Sequence, residues 1–152
     1  PQIDSDKFFH KPTDPPFQEQ YSAEERCQLL HQTLAKNDSW LLSGSICAWD
    51  ISDISFSHGI LLNVGKRVRM NRLNIRERER FGNRIDSGGD MFDEHIGFMQ
   101  WAKNYESGAR AGRSLPLEQE FMNEHCARNF AVVEEQQLSG LIETLVSFLQ
   151  AR

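Results

Sequence analysis

No stretch of the chain approaches the roughly 18 to 20 consecutive apolar residues of a membrane helix, and the opening Pro1-Gln2-Ile3-Asp4-Ser5-Asp6 has neither the basic nor the apolar run of a secretory signal. A water-soluble, cytoplasmic protein without membrane partners is the expectation. Cysteine is scarce: Cys27, Cys47 and Cys126 form no C-x-x-C pair and no even framework, which argues against a disulfide scaffold and for reduced thiols. The five histidines show no H-x-x-x-H spacing, and adjacent His125-Cys126 cannot alone build a tetrahedral site, so zinc is not expected. There is no G-x-S-x-G elbow and no Cys/His nucleophile signature. What remains is 152 residues, 39% hydrophobic and 26% charged with a net charge of −5, the composition of one acidic globular domain.

Charge is unevenly placed. Residues 66–84 hold eight basic side chains (Lys66, Arg67, Arg69, Arg72, Arg76, Arg78, Arg80, Arg84) against Glu77 and Glu79. A basic island on an acidic chain suits a local grip on an anion, whereas a nucleic-acid binder usually presents a basic domain, so nucleic acid is a disfavoured partner. A solvated helix laced with internal ion pairs gives the same pattern.

Periodicity and punctuation predict the elements. Residues 11–16 hold three prolines and read as a loop. Ser22-Ala23-Glu24-Glu25 has capping-box spacing and is followed by Cys27, Leu30 and Leu34 on one helical face. Residues 40–43 and 59–64 read as buried strands, residues 66–81 as a helix stopped by Gly82, and Ser87-Gly88-Gly89-Asp90 as a loop whose Asp90 caps the next helix. That helix carries Met91, His95, Phe98, Ala102 and Tyr105 on one face and ends at Gly108 and Gly112. His95 there reads as a core histidine. A helix over 117–126, a strand over 130–133 and a helix striped by Leu138, Leu141, Ile142, Leu145, Val146 and Leu149 complete the chain. Strands alternating with helices predict an α/β fold with an open parallel sheet.

Two constellations could carry chemistry. Asp4-Ser5-Asp6 falls at the carboxyl end of a short strand, where open parallel sheets place their ligands. Two carboxylates facing one way there could hold a hydrated Mg²⁺ and accept a substrate proton, and an exposed acidic turn is the plainer reading. Arg69, Arg72, Arg76 and Arg80 lie within one stripe of a helix. Like charges at that spacing cost a few tenths of a kcal/mol, which an external phosphate or the neighbouring glutamates could offset. Trp40, Trp49 and Trp101 suit core and pocket wall.

Ile3-Asp4-Ser5-Asp6-Lys7-Phe8-Phe9, Pro12-Thr13-Asp14-Pro15-Pro16-Phe17-Gln18, the run from Trp40 through Ser43-Gly44-Ser45 to Cys47, the run from Arg76 through Phe81-Gly82-Asn83-Arg84 to Ile85, and Gly88-Gly89-Asp90-Met91 resemble, in order, segments of the small bacterial P-loop kinases similar to adenylate and shikimate kinases. The resemblance implies a doubly covered parallel sheet, ATP and Mg²⁺, and phosphoryl transfer to a small-molecule acceptor. It makes Asp4 and Asp6 the metal-organising and acceptor-side carboxylates, with Asp4 acting on the metal through water. Ser43, Gly44 and Ser45 become an acceptor-pocket turn, with Trp49 beside it, and Arg72, Arg76 and Arg80 part of a basic lid over 66–112. Ser57, Gly65 and Arg67 depart from the family pattern, where Asp, Pro and Glu are favoured. These residues also contain no G-x-x-x-x-G-K-[ST] phosphate loop. The expectation is a single domain shortened at its amino end and missing a central strand, so that open edges pair with another chain, a homo-oligomer among the outcomes. A non-catalytic pseudokinase or binding module is the alternative.

Overall fold

The computed structural model describes residues 1–14, 16, 18–109, 112–132 and 135–150, without the side chains of 135–138, 145 and 148–150. Pro15, Phe17, Val133 and the side chains of Leu138, Leu145 and Leu149, used above, lie outside the described residues. The described chain is a mixed α/β structure with two small parallel two-stranded sheets and six helices, divided into two compact units, Pro1–Ser55 and Phe56–Arg152.

In the first unit β1 (Gln2–Asp4) runs into the single-turn α1 (Asp6–Phe9), and α2 (Ala23–Leu34) returns the chain to β2 (Leu41–Ser43). β1 and β2 pair in parallel with Asp4 opposite Ser43, so both strands end on one side. The capping box forms as its spacing predicts: Ser22 Oγ accepts from Glu25 N–H at 3.1 Å and Glu25 Oε2 from Ser22 N–H at 2.7 Å. Leu30 and Leu34 are buried from α2, and Ile3, Ile46, Ile51 and Ile54 join them in this unit's core. β2 departs from the expected buried strand, because Leu41 is 60% exposed on a strand with only one neighbour among the described residues.

In the second unit β3 (Gly59–Leu62) and β4 (Asn129–Val132) pair in parallel, joined by α3 (Lys66–Phe81), a 3-10 turn (Gly82–Ile85), α4 (Phe92–Lys103) and α5 (Leu115–His125), with α6 (Glu135–Gln150) following β4. Gly59 lies so close to Cys126 that an added Cβ would stand 2.7 Å from its Sγ. β3 is also more open than expected, with Ile60 and Leu62 exposed and Leu61 buried. On α6, Ile142 and Val146 of the apolar stripe are exposed.

α3, the 3-10 turn and α4 form a helical hairpin around buried Phe81, Ile85 and Met91. Gly82 stops α3 at φ 57°, a conformation that favours glycine. Asp90 does not cap α4: the cap position is Met91, and the Asp90 carboxylate instead takes a two-pronged bond from Arg84 (Nε to Oδ1 2.9 Å, Nη2 to Oδ2 2.7 Å). The charge-assisted fork is the stronger partner for that carboxylate. α4 ends at Lys103, short of Gly108, because Asn104 and Tyr105 turn back onto the carbonyls of Trp101 and Ala102.

Candidate functional site

In the first unit the parallel register brings the loops after β1 and β2 together. Ser5 is buried and donates its N–H to the Ser43 carbonyl at 2.9 Å, and the Ser43 hydroxyl donates to the Ile3 carbonyl at 3.3 Å. Gly44 follows at φ 103°. A Cβ there would fall well inside contact distance of Ser5 Oγ and 3.1 Å from Ser5 Cβ. Only glycine fits, so the Ser5 side chain can lie directly against the Gly44 backbone.

Asp4 is half-buried, and its Oδ1 accepts the Asp6 N–H at 3.1 Å. Asp6 is not on the strand. It opens α1 and is exposed, so the shared strand face expected for the two carboxylates gives way to a turn in which one carboxylate fixes the backbone of the other. Among the described residues no three His, Cys, Asp or Glu side chains gather as a metal site. Asp4 and Asp6 supply carboxylate oxygens, the ligand type Mg²⁺ takes, and Asp4 Oδ1 already accepts the Asp6 N–H.

Ser45 Oγ lies 3.3 Å from Cys47 Sγ in the turn after Gly44. Trp49 packs on Phe9, ring centroids 6.4 Å apart at 24°, and Arg26 from α2 lies over both, 4.7 Å from the Phe9 centroid and 5.6 Å from that of Trp49. His10 meets the Phe9 ring edge-on at 4.9 Å, and burial pulls its pKa below the ordinary imidazole value, opposed by nearby Asp6. Sequence reasoning placed Trp49 here and missed Arg26 and Phe9, whose partnership joins positions 9, 26 and 49 with no local signal.

The basic helix resolves into separate roles. Arg69 leaves the stripe: it is mostly buried and forks onto Glu106 (2.6 and 2.9 Å), whose pKa it lowers. Arg69 also lies 5.0 Å above the Tyr105 ring. Arg78 forks onto Asp86 at 3.0 and 2.7 Å. Arg72, Arg76 and Arg80 are exposed on one flank, with Arg76 3.6 Å from Glu77 and 5.7 Å from the Phe98 centroid, and Arg80 5.9 Å from that of Phe81. Glu77 itself is buried and lies 3.9 Å from His95 Nδ1; the His95 side chain is largely interior, as read, but its Nδ1 has no hydrogen-bond partner, so it is not the satisfied core histidine expected.

Beyond α4, the Tyr105 hydroxyl donates to buried Glu118, whose other oxygen takes Arg113 Nε at 2.7 Å. A cleft of about 530 Å³ lies in this unit against Asn63, Gly65, Lys66, Lys103, Glu106 and Ser107, at the carboxyl end of β3. No described helix is long and apolar enough to cross a membrane. The three cysteines are free thiols, and burial raises the pKa of Cys126.

No family model matches the chain, and no solved structure matches it. Among curated proteins it is similar to the uncharacterized protein YqaC of Bacillus subtilis (strain 168), 27% identical over 128 residues that make up 84% of this chain and 72% of that protein.

Proposed function

We propose that the protein is a cytoplasmic ATP-dependent phosphotransferase of the P-loop kinase type, acting on a small-molecule acceptor. The observation that carries the reading is the meeting of Asp4-Ser5-Asp6 with Ser43-Gly44-Ser45 at the carboxyl ends of two parallel strands, the place where parallel α/β folds bind ligands. The ordered motif resemblance across the chain adds the reaction class.

In this reading Asp6, exposed and fixed through its N–H by Asp4, takes the acceptor proton, and Asp4 would hold a hydrated Mg²⁺ through water. Mg²⁺ would supply charge neutralisation on phosphate oxygens. Ser43, Gly44 and Ser45 let the acceptor approach the backbone closely, with Trp49 as the adjoining wall. Arg72, Arg76 and Arg80 lie exposed on α3 of the second unit, and the resemblance alone assigns them the role of offsetting charge on the transferred phosphoryl group.

The test is ADP release on incubating the protein, expressed from its complete reading frame, with Mg·ATP and a panel of nucleoside monophosphates, sugar phosphates and hydroxy acids. Acceptor-dependent ADP supports transfer. A second reading, a binding module that no longer transfers phosphate, is favoured by one observation: Arg69, Arg78 and Arg84 of the basic segment are each committed to an internal carboxylate. Ligand binding without ADP release selects that reading.

A further inference from the structure

The cleft at the carboxyl end of β3 has no part in the phosphotransferase reading. Its volume of about 530 Å³ is enough for a small metabolite. Its walls come from two separate segments, Asn63 and Lys66 where β3 passes into α3, and Lys103, Asn104 and Ser107 where α4 ends. Among the described residues that line it, the one acid is Glu106. Both Glu106 oxygens are taken by Arg69, at 2.6 and 2.9 Å. That fork cancels one negative charge against one positive, so Lys66 and Lys103 are the uncompensated charge on the lining.

Arg69 also ties the two walls together. Its Nη1 donates to the Val64 carbonyl at 3.4 Å and its Nη2 to the Ala102 carbonyl at 3.5 Å. A mostly buried guanidinium thus links the chain just before Lys66 to the chain just before Lys103. Two ammonium groups are held on one cleft by a brace whose own charge is neutralised by Glu106. A cleft lined by one sign of charge concentrates counter-ions, and an ammonium is a point charge that meets any anionic oxygen. Among the described residues the lining has no aromatic and no branched aliphatic side chain. Pockets that take ring systems are walled chiefly by such side chains, so a nucleobase finds no surface here. The ligand that suits this lining is small, hydrophilic and at least doubly charged.

We propose that the cleft binds a small polyanion that carries no base, a polycarboxylate or a compound with two phosphate groups, through Lys66 and Lys103. The two sources share one chemistry, anionic oxygens on two neighbouring groups. The proposal stands apart from phosphoryl transfer and is read by binding alone.

The experiment is calorimetric titration of the wild-type protein, Lys66→Ala, Lys103→Ala and Arg67→Ala with citrate, pyrophosphate, a sugar bisphosphate, its parent sugar and ATP. Amide NMR shifts are recorded for each probe that binds. Citrate reports for polycarboxylates, and pyrophosphate and the bisphosphate report for paired phosphates. Arg67 is exposed and does not line the cleft, so its variant removes a neighbouring positive charge and leaves the site whole. The expected result is that at least one of the three polyanions binds, that the parent sugar does not, and that the shifts centre on residues 63–66 and 103–107. Affinity falls about ten-fold in each lysine variant, as for the loss of one charge-assisted hydrogen bond, and changes by less than about two-fold in Arg67→Ala. Both lysines are exposed, so the variants should melt with the wild type and a loss of affinity is not a loss of fold. Equal losses in all three variants would make the binding a diffuse property of the basic segment. Binding of ATP alone among the charged probes would make the cleft part of a nucleotide site. Either result, shifts centred elsewhere, or binding of no polyanion would overturn the proposal.

Discussion

Gly44→Ala concentrates the structural logic of the candidate site in one methyl group. The backbone at φ 103° is one that side-chain-bearing residues rarely adopt, with a strain of about 1–3 kcal/mol. The new Cβ would also collide with Ser5 Oγ and stand 3.1 Å from Ser5 Cβ, and Ser5 is only 2% exposed, so it has no room to withdraw. Overpacking of this kind costs about 1–3 kcal/mol. Reduced freedom of the unfolded chain returns about 0.4–1 kcal/mol, leaving a net loss of about 1–6 kcal/mol, centred on about 3. At about 2–4 °C per kcal/mol for a chain of this size, the melting transition should fall by roughly 10 °C. Hydrogen exchange followed by mass spectrometry should show faster exchange in residues 1–5 and 41–44 while residues 66–103 keep their protection. Adding Ser5→Gly removes the obstructing side chain but not the strain, and should restore part of the loss. A Gly44→Ala protein that melts within 2 °C of wild type, or a double variant no better than the single, would refute the close-approach argument.

Tyr105→Phe should cost about 1–3 kcal/mol, the usual effect of leaving a buried partner unmatched, because the hydroxyl bonds buried Glu118; urea unfolding measures it, and a Glu118→Gln cycle should show coupling between the two sites. The carboxyls of Asp86, Asp90 and Glu106 are held below their ordinary pKa values, chiefly by hydrogen bonds from Arg78, Arg84 and Arg69 respectively. Acids depressed in the folded state contribute stability that is present above the ordinary carboxylate range of about 4 and lost as pH falls through their folded values. Melting curves from pH 7 to 3 should therefore steepen downward below pH 4, less so in an Asp86→Asn/Asp90→Asn protein, and equal slopes would contradict the assignment. His10 works in the other direction on its proton, since burial favours its neutral form. Its contribution should fall as pH drops below about 6.5, and His10→Gln should flatten the melting temperature between pH 7 and 5. Arg76→Ala and Arg80→Ala should each lower turnover by about one to three orders of magnitude; Arg80→Ala should leave the melting temperature unchanged because the side chain is exposed, whereas Arg76→Ala also removes the 3.6 Å partner of buried Glu77 and should lower it, and unchanged turnover in both returns them to a solvated surface.

Helices were the most legible part of the sequence because their signals are local. The Ser22 box and the Gly82 stop sit within four residues of the turns they specify, and both appear as read. Strands were less so: a run such as 40–43 announces β structure but not how many neighbours cover it, and β2 has one described neighbour and an exposed Leu41. Asp90 shows how a local rule loses to a stronger partner, because the spacing that suits a cap also suits a fork from Arg84. Arg69 shares helical phase with Arg72, Arg76 and Arg80, yet its Glu106 partner lies 37 residues on and removes it from the stripe. Of the candidate site, Asp4, Asp6 and the Ser43-Gly44-Ser45 turn were readable from strand ends and glycine. Arg26 was not, since the rings that hold it come from separate segments.

The central claim is that the Asp4 and Ser43 end of the first sheet is the acceptor site of a phosphoryl transfer. Its most direct measurement is initial-rate ADP release from Mg·ATP with and without each acceptor, for the wild-type protein, Asp4→Asn and Asp6→Asn. The account predicts acceptor-dependent turnover that Asp6→Asn abolishes, with Asp4→Asn retaining a reduced rate restored in part by raised Mg²⁺, because an amide can still order a hydrated ion but cannot take a proton. Turnover equal in all three proteins, or an acceptor that binds in each of them with no ADP released, would contradict it.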